Sequence, residues 1–148
     1  MGIDLKGKRG LVMGVANERS IAWGIAKACA DAGAELAFTH QGEAFGKRLE
    51  PLAQSVGSDF MVDVDVTDDA SLDAAFEKLA ERWDRLDFLV HAIAYSDKSE
   101  LQGRILDTSR ANFKNSLDIS VYSFIDVARR AHPLMKDHGG TLLTLTYM

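Results

Sequence analysis

Strand-length apolar runs alternate with longer segments of helical period along the whole of this sequence, an order that makes each helix a crossover between neighbouring strands. The runs at about 9–15, 34–39, 60–63, 88–93 and 141–145 predict five strands, and the segments at about 20–31, 44–56, 69–83 and 109–135 predict the helices between them. An irregular stretch covers about 95–107. The run at 88–93 is almost wholly apolar, as in a strand covered on both faces. Leu72, Phe76, Leu79, Ala80 and Trp83 fall on one helical face. Right-handed crossovers then give an α/β fold with a doubly wound parallel sheet. With no repeat and no linker, residues 1–148 read as a single domain.

Composition narrows the function. A net charge of −5 with scattered basic residues gives no footprint for nucleic acid or an acidic membrane. No apolar run approaches the roughly 20 residues of a membrane span. The N-terminus has no apolar signal core. The single cysteine, Cys29, lies on a helical stripe and reads as buried filler in a reducing compartment. These features together predict a cytoplasmic protein.

The segment from Gly14 to Ala26 carries the strongest chemical signal. A buried strand ends at Gly14, a short polar loop follows, and Ser20 opens an Ala-rich helix. Such a junction aims backbone N–H groups and the positive helix end at one point, which suits a pyrophosphate. Ser20 either caps the helix or donates its hydroxyl to a phosphate. Gly24 sits inside the helix, where glycine costs about 1 kcal/mol relative to alanine, and a close approach to a neighbouring strand is the expected reason. An ordinary capped turn also fits the local pattern, and the spacing matches neither G-x-G-x-x-G nor a P-loop. Position favours the nucleotide, because dinucleotide folds place phosphates at the first strand–helix junction. A full sheet of that kind has about six strands. The five here, ending a few residues before the chain stops, read as a Rossmann sheet truncated after the fifth strand, its C-terminal part missing.

The spacing of Gly14, Ser20 and Ala22 resembles the phosphate loop of the divergent short-chain dehydrogenase/reductases. Within them, the run Ser20-Ile21-Ala22-Trp23-Gly24-Ile25-Ala26 is similar to that of the enoyl-acyl-carrier-protein reductases of fatty-acid synthesis. The resemblance continues in order through 33–41 (GAELAFTHQ), Asp65-Val66, 90–97 (VHAIAYSD), 118–124 (DISVYSF) and 142–148 (LLTLTYM). It implies an oxidoreductase that transfers a hydride from NADH to the double bond of a trans-2-enoyl thioester on acyl-carrier protein. It also implies a homotetramer built on the long helices after the third and fourth strands.

The second strand runs into Gln41, Gly42 and Glu43, with no Lys or Arg before Lys47. Gln41 can bond a ribose hydroxyl but cannot neutralise a 2′-phosphate, which predicts NADH over NADPH. Gln41 and Glu43 are also compatible with plain surface positions opening a helix. The resemblance adds Gly14, Ala16, Ser20 and Ile21 at the phosphates and ribose, Asp65 on the adenine amino group and Val66 against its ring. It places Ile93 in the cofactor cleft, with Ala94 and Tyr95 beside the substrate. Ala94 stands where the family commonly has glycine, so substrate contacts there are expected to differ.

Reduction of an enoyl thioester builds charge on the thioester oxygen, and a tyrosine is a suitable donor to it. Tyr147 matches the first of two family tyrosines; the second, with its lysine, would follow Met148. Thr146 stands where relatives often carry serine, and Tyr122, Phe113 and Phe124 have the spacing of helix core. The four histidines show no metal-ligand spacing, and His91 reads as a satisfied core histidine. Two other readings stay open: a short-chain reductase of a 3-oxoacyl or ketone substrate, and a nucleotide-binding fragment without catalysis, whose last strand should then expose an apolar edge.

Overall fold

The structure is a computed structural model that describes residues 2–146. Five strands form one parallel sheet: β1 (Arg9–Met13), β2 (Glu35–His40), β3 (Met61–Asp63), β4 (Phe88–His91) and β5 (Thr141–Thr144). Their spatial order is β3-β2-β1-β4-β5. Helices α1 (Ile21–Asp31), α2 (Glu43–Ser55), α3 (Asp69–Arg82), α4 (Arg110–Leu117) and α5 (Ser123–Met135) connect them. The expected α/β doubly wound sheet is present. The order reverses between β1 and β4, where such sheets open a crevice at their carboxyl ends.

The apolar strands are explained by two-sided burial. Leu11, Met13, Ala37 and Leu89 point to one face and pack on Leu72, Phe76 and Leu79 of α3 and Val127, Ala131 and Met135 of α5. Val12, Leu36, Phe38 and Val90 point to the other and meet Ala22, Trp23 and Ala26 of α1 and Leu49 and Ala53 of α2. Alternate residues thus serve opposite layers, so the buried strand positions are apolar apart from Thr39 and His91. Cys29 is half-buried rather than buried, packing against the second layer.

The predicted helical region at 109–135 is helical from Arg110 to Met135 but is not one regular α-helix. A five-residue turn of π type, Asp118–Tyr122, separates α4 from α5. Such turns are inserted residues that hydrophobic spacing does not report. Phe113 and Tyr122, expected in the core, are 57% and 47% exposed; with Leu117, Val121 and Ile125 they form an outward apolar stripe. Phe124 does pack against the core. Strand β5 forms one edge of the sheet, with Leu142 and Leu143 partly exposed. A hollow of about 480 Å³ beside it is lined by Ile25, Cys29, Val90 and Leu143. Among the described residues, no helix is long and apolar enough to cross a membrane.

Candidate functional site

Gly14 ends the approach of β1 to β4. Its φ is +100°, and a Cβ there would lie 2.0 Å from the carbonyl oxygen of Ala92. Ala92 in turn donates its N–H to Met13 O at 3.0 Å. Only glycine lets the two backbones close this tightly while the chain turns away into the loop.

Residues 15–20 then form a loop closed by its own polar groups. The N–H of Arg19 donates to the Asn17 side-chain oxygen at 2.8 Å, and the N–H of Ser20 donates to Asn17 O at 3.1 Å. Ser20 occupies the N-cap position of α1 but makes no side-chain cap bond. Its Oγ instead accepts from the N–H groups of Ala16 and Asn17, at 3.0 and 3.1 Å. That leaves its hydroxyl proton available, because a hydroxyl can accept two bonds and still donate one. The capping alternative is therefore corrected: two amides close in the loop outcompete those of the helix's first turn. The expected close approach at Gly24 is also absent, since a Cβ there meets nothing within 4 Å.

A cleft of about 530 Å³ lies at the carboxyl ends of β1 to β4. Gly14, Ala16, Gln41, Asp65, Val66, Ile93, Ala94 and Tyr95 all line it. Ser20 stands behind its rim through the bond to Ala16, whereas Ile21 is 68% exposed at the start of α1. Tyr147 lies outside the described residues.

Asp65 follows β3 and accepts from both the N–H and the hydroxyl of Thr67, at 2.9 and 2.7 Å. The Thr67 hydroxyl and amide, and to a lesser degree Gln41, hold its carboxyl below the usual carboxylate range against the opposing effect of burial. The carboxylate is thus a fixed, charged acceptor beside Gln41, with Val66 supplying an apolar wall. Gln41 and Asp65, far apart in the chain, come together because β2 and β3 are paired neighbours.

The far wall was not visible in the sequence. Asn115 and Ile119, from α4 and the π turn, complete the cleft, and Thr39, His40, Phe45 and Thr67 add to it. Thr39 and His40 could have been found from the rule that strand ends line such sites, and Thr67 from its Asx-turn spacing to Asp65. No signal marks Asn115 or Ile119. The π turn is tied to the loop after β4, since Tyr95 N–H donates to Ser120 Oγ at 3.0 Å, and that hydroxyl donates to Tyr95 O at 3.2 Å. Further along, Asn112 accepts from Asp97 N–H at 2.9 Å and donates to Ser96 and Glu100. His91 is buried in β4 with both ring nitrogens bonded, as a core histidine should be.

Known proteins resemble this chain in sequence and in fold. Residues 14–148 match the family described as Enoyl-(Acyl carrier protein) reductase. Over 97% of its length the chain is 62% identical to enoyl-[acyl-carrier-protein] reductase [NADH] 1 of Rhizobium meliloti (strain 1021), covering 52% of that protein. Among solved structures, FabI of Candidatus Liberibacter asiaticus superposes with a TM-score of 0.96 at 57% identity, over 99% of this chain and 57% of that one. The Anaplasma phagocytophilum reductase, solved in complex with NAD, gives 0.94 at 52% identity, over 99% of this chain and 56% of that one. The chain spans about half the length of the curated relatives it matches.

Proposed function

The chain belongs to the enoyl-(acyl carrier protein) reductase family, and on that premise we propose that its cleft holds NADH for the reduction of a trans-2-enoyl-acyl-carrier-protein thioester in fatty-acid synthesis. The observation that carries the reading is the convergence of Gly14, Gln41, Asp65 and Ile93 on one cleft at the reversal of strand order. The residues fit the cofactor chemically. A turn that tolerates no Cβ lets a pyrophosphate approach the backbone. An acceptor carboxylate beside an apolar residue suits the amino group and ring of adenine.

In this reading Gly14, Ala16, Ser20 and Ile21 hold the pyrophosphate and adjoining ribose, Ser20 through its hydroxyl proton. Gln41 bonds the adenine ribose, Asp65 and Val66 the adenine, and Ile93 lines the nicotinamide end. Ala94 and Tyr95 flank the substrate, and Tyr147 belongs to the donor set for the thioester oxygen. When bound, NADH supplies the hydride. The chain's own residues orient it and keep water from its apolar wall. Residues 1–148 act as one dinucleotide-binding unit of a cytoplasmic enzyme. A homotetramer is part of the proposal, supported by the outward stripe of Phe113, Leu117, Val121, Tyr122 and Ile125.

The test follows loss of NADH absorbance with a short trans-2-enoyl thioester beside the matching 3-oxoacyl thioester. Turnover of the enoyl substrate alone supports the proposal, and preference for the oxo substrate overturns it. NADH binding without turnover of either would make the chain a nucleotide-binding module.

A further inference from the structure

We propose that Asp63, the last residue of β3, sets the cleft against nucleotides that carry a 2′-phosphate. The inference rests on the dinucleotide reading above and adds a determinant outside the cleft lining.

Asp63 pairs in register with His40, the last residue of β2. One oxygen of its carboxylate accepts the N–H of Gly42 at 2.8 Å. Gly42 directly follows Gln41, and its φ of +79° turns that amide toward β3. The same loop is held from its other side, because His40 Nδ1 donates to Gly42 O at 3.0 Å. That nitrogen is also 3.8 Å from the Asp63 oxygen. The Asp63 side chain remains 63% exposed, so its charge faces the solvent around the loop.

Nucleotide folds discriminate the 2′ group at the loop after the second strand. A 2′-phosphate wants free N–H donors and cationic side chains there. In this chain the Gly42 N–H is already taken by a carboxylate. Among the described residues, no Lys or Arg lies within ion-pair distance of Asp63, and the basic side chain near it is the His40 imidazole. The two cations near the start of α2 are engaged elsewhere: Lys47 lies 2.7 Å from Glu43, and Arg48 stacks 5.8 Å over Phe45. Asp65 adds a second carboxylate beside Gln41, while that of Glu43 is paired with Lys47. A ribose hydroxyl can donate into such a setting, whereas a phosphate can only accept and is repelled. Gln41 accounts for the lack of attraction to the phosphate, and Asp63 supplies the repulsion together with the blocked amide.

The test compares dissociation constants of NADH and NADPH for the wild type, Asp63→Asn and Asp63→Ser. Asparagine keeps an oxygen to accept from Gly42 while removing the charge, and serine removes the charge with a shorter side chain. The ratio of the two constants is expected to move about fivefold toward NADPH, the size of one partly screened carboxylate acting on a phosphate dianion. In the wild type, raising salt should narrow the gap between the nucleotides, because the repulsion is screened. A ratio unchanged in both variants while NADH still binds overturns the role of Asp63 and leaves the cleft reading standing. A wild-type gap insensitive to salt also overturns that role. Failure of the wild type to bind either nucleotide overturns the cleft reading and this inference with it.

Discussion

His91 in β4 and Ser123 at the head of α5 share a 2.7 Å hydrogen bond between imidazole Nε2 and hydroxyl oxygen, both residues being buried. The Ser123 hydroxyl spends its proton on Ile119 O at 2.6 Å, so Nε2 is the donor to it. In the neutral ring Nδ1 then accepts from the Thr144 hydroxyl at 3.0 Å. One ring thereby ties β4 to β5 and to the π turn that walls the cleft.

That site makes stability depend on pH. Burial pushes the His91 imidazole below its ordinary value of 6.5. Below that pH the unfolded chain takes up a proton that the folded chain refuses. The stabilisation is therefore full above the unfolded value and is lost as pH falls toward the folded one. The urea midpoint is expected to hold between about pH 8 and pH 7 and to decline by about pH 5.5. His91→Gln should flatten that decline; an identical slope in the variant would place its origin in other groups.

Gly14→Ala should be among the most damaging single changes. It combines a strained φ with overlap against the Ala92 backbone, which has no side chain to move aside. A loss of about 3 kcal/mol is expected in denaturant unfolding, along with NADH binding. A variant of wild-type stability would mean that the backbones can separate freely.

Ser20→Ala removes the acceptor for two loop amides. Two bonds of modest net worth predict NADH binding weakened about tenfold, while Ser20→Thr keeps most of the affinity. Calorimetric titration separates the cases. Unchanged affinity in the alanine variant would show that the turn at Asn17 alone shapes the loop.

Gly24→Ala tests the opposite situation. The position is interior to α1 and a Cβ there enters open space. The folded chain should gain about 0.5–1 kcal/mol, since alanine restricts the unfolded chain and favours helix. A lowered melting midpoint would indicate a neighbour beyond the described residues.

The architecture was readable because its evidence is periodic. Buried strands such as the one holding Leu89 and Val90 are apolar on both faces except where a polar side chain finds partners, as His91 does, and α3 repeats its apolar residues at helical spacing. Much of the cleft was readable too, since Gly14, Gln41, Asp65 and Ile93 stand at strand ends, where parallel sheets gather ligands. The π turn escaped because an inserted residue leaves the composition of a helix unchanged. The exposure of Phe113 and Tyr122 escaped because spacing reports a face, not what covers it.

By itself, then, the sequence determined what depends on near neighbours along the chain: strand and helix identity, two-sided burial, and a left-handed turn that only glycine at position 14 takes without strain. Tertiary structure decided the pairings between distant segments. Asp63 meets Gly42 because β3 lies beside β2, and Asn115 and Ile119 close the cleft because the helices after β4 return over its end. Ser20 was ambiguous until the loop closed, for a hydroxyl bonds whichever amides packing brings within reach. Such choices turn on distances of a few ångströms between chain segments, and only the assembled layers set those distances.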